Sequence, residues 1–418
     1  MRTLGEWLAF IERQHPKTIA LGLERVSAVL HRMRIALACP VITVAGTNGK
    51  GSCCALLEAM LRAGGYRTGL YTSPHLVRYN ERVRIAATEA EDDALAASFE
   101  AVEAARADTP LTYFEYGTLA ALWLFARERL DVAVLEVGLG GRLDAVNVID
   151  ADCAVLTSVG IDHVDYLGPD RESIGREKAG IFRAGRPAVI AEPDPPRSVL
   201  DAPGEHLLLG RDFGYVDQKS QWSYWGPSSS KSGKRGGLPH PALRGAMQLR
   251  NAAAAMCALD CLREKLPLGM QDIRRGLAEV ALPARFQVLP GRPQVILDVA
   301  HNPQAAAVLA ENLAMSGFAP ETIAVCGMLR DKDIGGVLRA LAPRITRWHM
   351  ASLSGPRAAT AEELAQHVQG AECFASPASA FAAALSRANQ DDKIVVFGSF
   401  LTVGEVMGWL NNNKTSKR

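Results

Sequence analysis

The residues best equipped for chemistry stand in one run, Val41-Ile42-Thr43-Val44-Ala45-Gly46-Thr47-Asn48-Gly49-Lys50-Gly51-Ser52. An apolar, β-branched stretch leads into a glycine-rich turn, then a lysine, then a serine opening a helix predicted over 53–63. Glycines let backbone N–H groups close on phosphate oxygens, and a helix N-terminus adds the positive end of its dipole. Lys50 is spaced to reach the outer phosphates, and the Ser52 hydroxyl to sit on a magnesium ion. The spelling departs from the usual P-loop: Gly51 separates Lys50 from Ser52, and Val44 stands where the first glycine is expected. A lone GxxG is more often a plain turn. The full order of strand, glycine turn, Lys, Gly, Ser and helix favours a nucleotide site.

A second set of polar groups follows buried-strand patterns. Glu136 lies near the end of the apolar run 131–137, where an unpaired carboxylate is costly and a metal ion would remove the cost. Ser52 and Ser73 are hard oxygen donors suited to magnesium, which keeps waters and bridges substrate phosphates. His163 follows the apolar run 153–158; as an unusual magnesium ligand it leaves zinc or a structural role open. The competing readings are a salt bridge from Glu136 to Arg142, and a hydrogen bond from His163 to Asp162 or Asp165. Placement of both groups beside a phosphate loop favours the metal.

Strand, loop and helix patterns alternate around these groups. Residues 68–71 form a strand that delivers Thr72-Ser73-Pro74-His75-Leu76, a turn with a hydroxyl and an imidazole at its tip. Helices are predicted over 89–107, 116–128 and 173–182, and strands over 131–137, 153–158 and 187–190. Such units build a mostly parallel sheet with helices on both faces, and its ligands bind beyond the carboxyl ends of the strands. The phosphate loop, Ser73, Glu136 and His163 all fall on that edge. From 207 to 241, Phe213, Tyr215, Trp222, Tyr224 and Trp225 alternate with polar residues, predicting a small antiparallel ribbon with 228–237 as its flexible tip. Helices follow over 249–265 and 270–280. Pro283, Pro290 and Pro293 then punctuate the chain, which sets an expected boundary near Leu289. The fold class is therefore α/β: a P-loop ATPase domain over 1–288 and a smaller α/β domain over 289–418, the latter with strands at 295–298, 322–326, 345–350 and 393–397.

Bulk properties narrow the function. A net charge of +1 over 418 residues gives no electrostatic case for nucleic acid or an anionic membrane. No long uncharged apolar run predicts a transmembrane helix, and residues 1–13, with Glu6 and Glu12, lack the zones of a signal peptide. The eight cysteines include no CxxC. Cys257 and Cys261, four apart on an apolar helix, read as buried thiols. A reduced, cytoplasmic protein is expected.

Several stretches together resemble the bacterial folate-adding amide ligases, dihydrofolate synthase and folylpolyglutamate synthase, within the Mur-ligase-like superfamily. They are the phosphate loop, Thr72-Ser73-Pro74-His75-Leu76, Leu111-Thr112-Tyr113-Phe114-Glu115, Leu135-Glu136-Val137-Gly138-Leu139-Gly140-Gly141-Arg142-Leu143-Asp144, Ile161-Asp162-His163, Arg176-Glu177-Lys178-Ala179-Gly180-Ile181 and Asp298-Val299-Ala300-His301-Asn302-Pro303. They span most of the chain, in order, and the bifunctional form is the best match. The resemblance implies ATP and Mg2+ as cofactors, with dihydropteroate, reduced folates and L-glutamate as substrates and a monomer as the working unit. It implies that Gly46, Thr47, Asn48, Gly49, Lys50, Gly51 and Ser52 bind the ATP phosphates. Ser52, Ser73 and Glu136 would hold one magnesium, and His163 a second beside a carbamylated Lys178. It places Asn251, Arg285 and Asp298 at the nucleotide, and His301 and Asn302 in the interdomain cleft. Ala20, Leu21, Gly22, Thr112, Tyr113, Phe114 and Asp144 would meet the pterin, and Arg82 and Ser399 the glutamate. Two positions depart from the family pattern: Ala20 replaces a common Asp, and Met247 replaces the His of a His-Gln-x-x-Asn motif.

The implied reaction is ATP-driven amide formation through an acyl phosphate. Attack of one anion on another needs charge neutralisation, and the intermediate needs shelter from water. Domain closure about a hinge near Leu289 would supply the shelter. Other readings are a monofunctional folylpolyglutamate synthase, another Mur-like amino-acid ligase, and a nucleotide-gated binding protein. A muramyl ligase would need a substrate domain ahead of the loop, and only 45 residues precede Gly46. The set Lys50, Glu136, His163 and Lys178 argues for a working ligase.

Overall fold

The computed structural model of the chain describes residues 2–15, 19–227 and 233–415, the last two by backbone alone. Of the expected ribbon tip, 228–232 lie outside the described residues, as do 16–18 of the loop before the second helix. The chain forms two compact units, one of residues 1–75, 79–242 and 249–280, the other of 76–78, 243–248 and 281–418.

In the first unit the strands are β1 (Val41–Ala45), β2 (Thr68–Tyr71), β3 (Val83–Ile85), β4 (Thr88–Glu89), β5 (Val132–Glu136), β6 (Cys153–Leu156), β7 (Pro187–Ile190) and β8 (Glu205–Leu208). They form one sheet in the order β4-β3-β2-β5-β1-β6-β7-β8. The six strands from β2 to β8 in that order are mutually parallel, and β3 and β4 extend the edge as antiparallel partners. Every residue of β1 and β5 is buried, as expected of strands covered on both faces. Helix Lys50–Ala63 begins ahead of the predicted 53–63, so Lys50, Gly51 and Ser52 make its first turn. Helix Met270–Glu279 packs on it backbone to backbone: a Cβ at Gly276 would fall 2.5 Å from Met60 Cα. Helix Tyr113–Arg127 also starts earlier than predicted, because Thr112 and Glu115 make a capping box.

The ribbon is a three-stranded antiparallel sheet of β9 (Gly214–Asp217), β10 (Trp222–Trp225) and β11 (Lys234–Leu238). Its alternating aromatics bury Trp222 and Tyr224 on one face. Asp260 of helix Gln248–Cys261 pins it, accepting from Tyr224 Oη at 2.9 Å and from Arg235 Nη2 at 2.6 Å.

The second unit carries β12 (Gln287–Leu289), β13 (Gln294–Leu297), β14 (Thr322–Cys326), β15 (Arg347–Ala351), β16 (Glu372–Phe374) and β17 (Lys393–Phe397), in the order β12-β13-β17-β14-β15-β16. All pairs are parallel except β12–β13. This corrects the boundary expected near Leu289: the units part between Val280 and Ala281. Pro290 and Pro293 sit in the turn between β12 and β13, so they mark a hairpin and not a linker. The closing helix Phe400–Thr415 was not predicted.

The tight contact at Gly276 gives a test. Replacing Gly276 by Val should destabilise the first unit by about 1–3 kcal/mol through overpacking, seen as a lower melting temperature, whereas Gly408→Ala, with open space around it, should leave melting nearly unchanged.

Candidate active site

The phosphate loop is held by the strand beside it. Gly46 (φ 154°) lies so close to Thr157 that a Cβ there would fall 1.9 Å from Thr157 Oγ1. Thr157 Oγ1 donates to Asn48 O at 2.7 Å, and Ser158 Oγ accepts from Asn48 N at 2.9 Å. Thr47 Oγ1 donates to Gly160 O and accepts from Gly160 N. Gly49 (φ 89°) caps the helix in a left-handed conformation that glycine adopts at no steric cost. Lys50 Nζ lies 3.0 Å from Gly46 O, which keeps the ammonium against the loop. Asn251 also reaches this place: a Cβ on Gly49 would meet its Oδ1 at 2.8 Å.

The carboxyl ends of β2, β5 and β6 lie on the same edge as the loop, because β5 and β6 pair in parallel with β1 and β2 pairs in parallel with β5. Glu136 is buried at the end of β5 and accepts from Ser73 N at 3.2 Å. Arg142, the competing partner, pairs with Glu177 at 2.7 Å. His163 caps helix Val164–Leu167 in a left-handed conformation (φ 53°); its backbone N–H donates to Asp162 Oδ1, and its ring stands 4.0 Å from Asp162 Oδ2. Lys178, which its sequence context alone would leave on the surface, is only 4% exposed within helix Arg171–Ala179. Among the described residues no three His, Cys, Asp or Glu side chains gather for a metal. The donors on this edge are one buried carboxylate and two serines, a set that suits an ion keeping waters and phosphate oxygens as its other ligands.

Segments that carry several of the residues assigned to the pterin are tied to one another. Gly22 N donates to Leu143 O at 3.1 Å, and Arg25 links Ala20 O to Glu115. A Cβ on Gly138 would strike the Phe114 ring at 2.6 Å. Asp144 is buried and accepts from Leu139 N and Val146 N, at 2.8 and 2.9 Å; burial still pushes its carboxyl up to about 6. Arg82 lies over the Tyr79 and Tyr113 rings and donates through Nε to His75 Nδ1 at 2.8 Å. Burial and the Arg82 charge push His75 down to about 4.

In the second unit, Asp298 follows β13 and accepts from Phe286 N and Ala300 N, both at 2.8 Å. Burial raises its pKa against the opposing charge of Arg285. The guanidinium of Arg285 and the His301 ring both lie against Phe400, at 5.1 and 6.3 Å. Asn302 caps helix Pro303–Met315 through Ala305 N. Ser399 is buried, with its hydroxyl accepting from Thr402 N at 3.0 Å, so it works as a helix cap.

Two family models match this chain: the Mur ligase middle domain over residues 44–259, and the Mur ligase glutamate ligase domain over 284–400. The chain is 48% identical to the dihydrofolate synthase/folylpolyglutamate synthase of Escherichia coli K12, over 97% of its own length and 94% of that protein. The chain belongs to the Mur ligase family. Within it, the chain sits in the dihydrofolate synthase/folylpolyglutamate synthase branch and is an ATP-dependent ligase. The solved structure of E. coli FolC in complex with DHPP and ADP superposes with a TM-score of 0.94 at 46% identity, covering 99% of both chains. A bifunctional folylpolyglutamate synthase/dihydrofolate synthase with Mn, AMPPNP and L-glutamate bound gives 0.91 at 45%, covering 98% of both.

For a Mur ligase, the phosphate loop and the Ser52–Ser73–Glu136 donors fit ATP and a divalent metal. Sequence reasoning missed Thr157 and Ser158, which brace the loop, and the tie from His75 to Arg82. The signal for the first was two hydroxyls ending a buried strand next to the loop strand. For the second it was the imidazole at the tip of the Thr72–Leu76 turn.

Asp144 gives a pH test. Its folded pKa, about 6, lies above the ordinary 3.8, so its contribution to stability is complete below pH 4 and is lost as pH rises through 6. Asp144→Asn should flatten the pH dependence of stability across that window in urea unfolding at pH 4, 5 and 6.

Proposed function

We propose that this Mur ligase joins the amino group of L-glutamate to dihydropteroate, and to reduced folates, through an acyl phosphate. The observation carrying this reading is the placement of Lys50, Ser52, Ser73 and Glu136 at one carboxyl edge of a parallel sheet. The relatives that bind ADP with DHPP, or AMPPNP with L-glutamate, support it.

The substrate carboxylate attacks the γ-phosphorus, the bond to the β–γ bridging oxygen breaks, and ADP leaves. The glutamate amine then attacks the acyl carbon; inorganic phosphate departs and the amine proton goes to solvent. Bound magnesium supplies neutralisation of the phosphate charge in the first step. Gly46 to Ser52 orient the phosphates, and Lys50 places a cation on the group being transferred. Ser52, Ser73 and Glu136 hold the first ion. His163 and a carbamylated Lys178 serve the second; the modification turns a buried ammonium into an anionic ligand. Asn251, Arg285 and Asp298 meet the nucleotide, with His301 and Asn302 nearby. Arg82 takes a glutamate carboxylate, and Ser399 supports that end as a helix cap. The eight free cysteines support a cytoplasmic setting, and among the described residues no helix is long and apolar enough to cross a membrane. We take the working unit to be a monomer.

A second reading is a folylpolyglutamate synthase without the dihydropteroate activity. Purified protein with ATP, magnesium and L-glutamate, given dihydropteroate or a reduced folate, separates the two by product mass. Product from both acceptors is expected. Product from the reduced folate alone selects the second reading, and product from neither overturns both. Glu136→Gln should lower kcat at least about 100-fold. Lys178→Ala should do the same, and intact mass of the wild type should show a carbon dioxide increment that Lys178→Ala lacks.

A further inference from the structure

Arg82 is a cation prepared for an anion that the chain itself does not provide. It is half-buried, flanked by the faces of Tyr79 and Tyr113 at 5.3 and 5.5 Å, and among the described residues no carboxylate pairs with it. Among the described residues, its only side-chain hydrogen bond goes from Nε to Nδ1 of His75. A guanidinium never accepts, so Nδ1 must be the unprotonated nitrogen and the His75 ring must be neutral. His75 is itself seated against the Tyr79 ring at 5.9 Å. The backbone brings this group to the reaction edge: Thr72 N donates to Arg82 O at 2.9 Å, one residue before the metal donor Ser73.

With Nε occupied, the side-on fork of Nε and one terminal nitrogen is closed to a ligand. What remains is the end-on fork of Nη1 and Nη2, which matches the two oxygens of a carboxylate. We propose that His75 is a positioning residue for Arg82, fixing the guanidinium so that its two terminal nitrogens meet the carboxylate of the amino-acid substrate end-on. This rests on the assignment of Arg82 to glutamate given above. The aromatic faces hold the guanidinium plane, and the imidazole fixes its rotation within that plane. Without the imidazole, Nε becomes a third donor competing for the same ligand, and the geometry that distinguishes a carboxylate from other anions is lost.

The experiment measures kcat and KM for L-glutamate, KM for ATP and the melting temperature in four proteins: wild type, His75→Ala, His75→Asn and Arg82→Ala. His75→Ala should raise KM for glutamate about tenfold, the loss expected for a hydrogen bond to a charged group, with kcat and KM for ATP nearly unchanged. His75→Asn should recover most of that loss, because its Oδ1 stands where Nδ1 stood and accepts from Nε. Arg82→Ala should raise KM for glutamate at least as far as His75→Ala. If Arg82→Ala raises it and His75→Ala does not, the role of His75 is overturned and the assignment of Arg82 stands. If Arg82→Ala has no effect, the assignment of Arg82 itself fails. A His75→Ala protein that loses kcat, ATP affinity and melting temperature together, with no recovery in His75→Asn, shows a structural role and overturns the proposal.

Discussion

The site depends on one close approach, between Gly46 and Thr157. Phosphate is bound by backbone N–H groups, so the loop must hold a fixed curve with few side chains of its own to fix it. The curve is set from outside. Thr157 and Ser158, at the end of β6, bond to the backbone of Asn48, while Thr47 and Gly160 clasp each other. This works only because position 46 has no Cβ, which would fall 1.9 Å from Thr157 Oγ1. The parallel pairing of β1 with β6 supplies the registration, and the same sheet places β5 and β2 on the other side of β1 with Glu136 and Ser73 at their ends. Loop, brace and the proposed metal donors all follow from a single sheet edge.

Charge explains why so many polar groups are tolerated there. Glu136 and Lys178 are both buried, and a protein that needed only stability would replace them with apolar side chains. The proposed reaction gives both a use, because an anion attacks a phosphate anion there and the site would need groups that hold bound cations. On the proposed roles, a ligand set of serine hydroxyls with few carboxylates would leave the metal's positive charge largely uncompensated and available to the phosphates. A full carboxylate cage would hold the ion more tightly and spend that charge.

Much of this was legible in the sequence, for definable reasons. Strands Thr68–Tyr71, Thr322–Cys326 and Lys393–Phe397 were read at their true bounds, because parallel strands covered on both faces are short apolar runs. The phosphate loop was legible because its chemistry needs local spacing. Helix starts were less so: Lys50–Ser52 and Tyr113–Glu115 looked like loop because their polar or glycine content belongs to a glycine turn and a capping box within the first turn. The domain boundary was misplaced because proline marks a tight hairpin as well as a linker, and only the pairing of Gln287–Leu289 with β13 tells them apart. The burial of Lys178 was invisible, since nothing local announces that a helix face carrying a lysine turns inward. The His75–Arg82 tie spans seven residues across a turn and leaves no periodic mark.

The two units share a device that bears on how their acidic residues are understood. Asp144 gathers Leu139 N and Val146 N in the loop after β5, and Asp298 gathers Phe286 N and Ala300 N in the turn after β13. In each case burial raises the pKa while two N–H donors limit the rise, so the carboxyl is bonded to the backbone before any ligand arrives. The segment that Asp298 holds is strained, with Ala284 and Phe286 at φ 58° and 45° on either side of Arg285. Removing that carboxylate would therefore release the backbone that carries Arg285. A loss of nucleotide affinity in such a variant would not distinguish a direct contact from a displaced arginine. The same logic applies to Asp144 and the loop after β5 that it holds. In both loops the acidic residue shapes the turn first, and any contact with substrate is made by a group already committed to the fold.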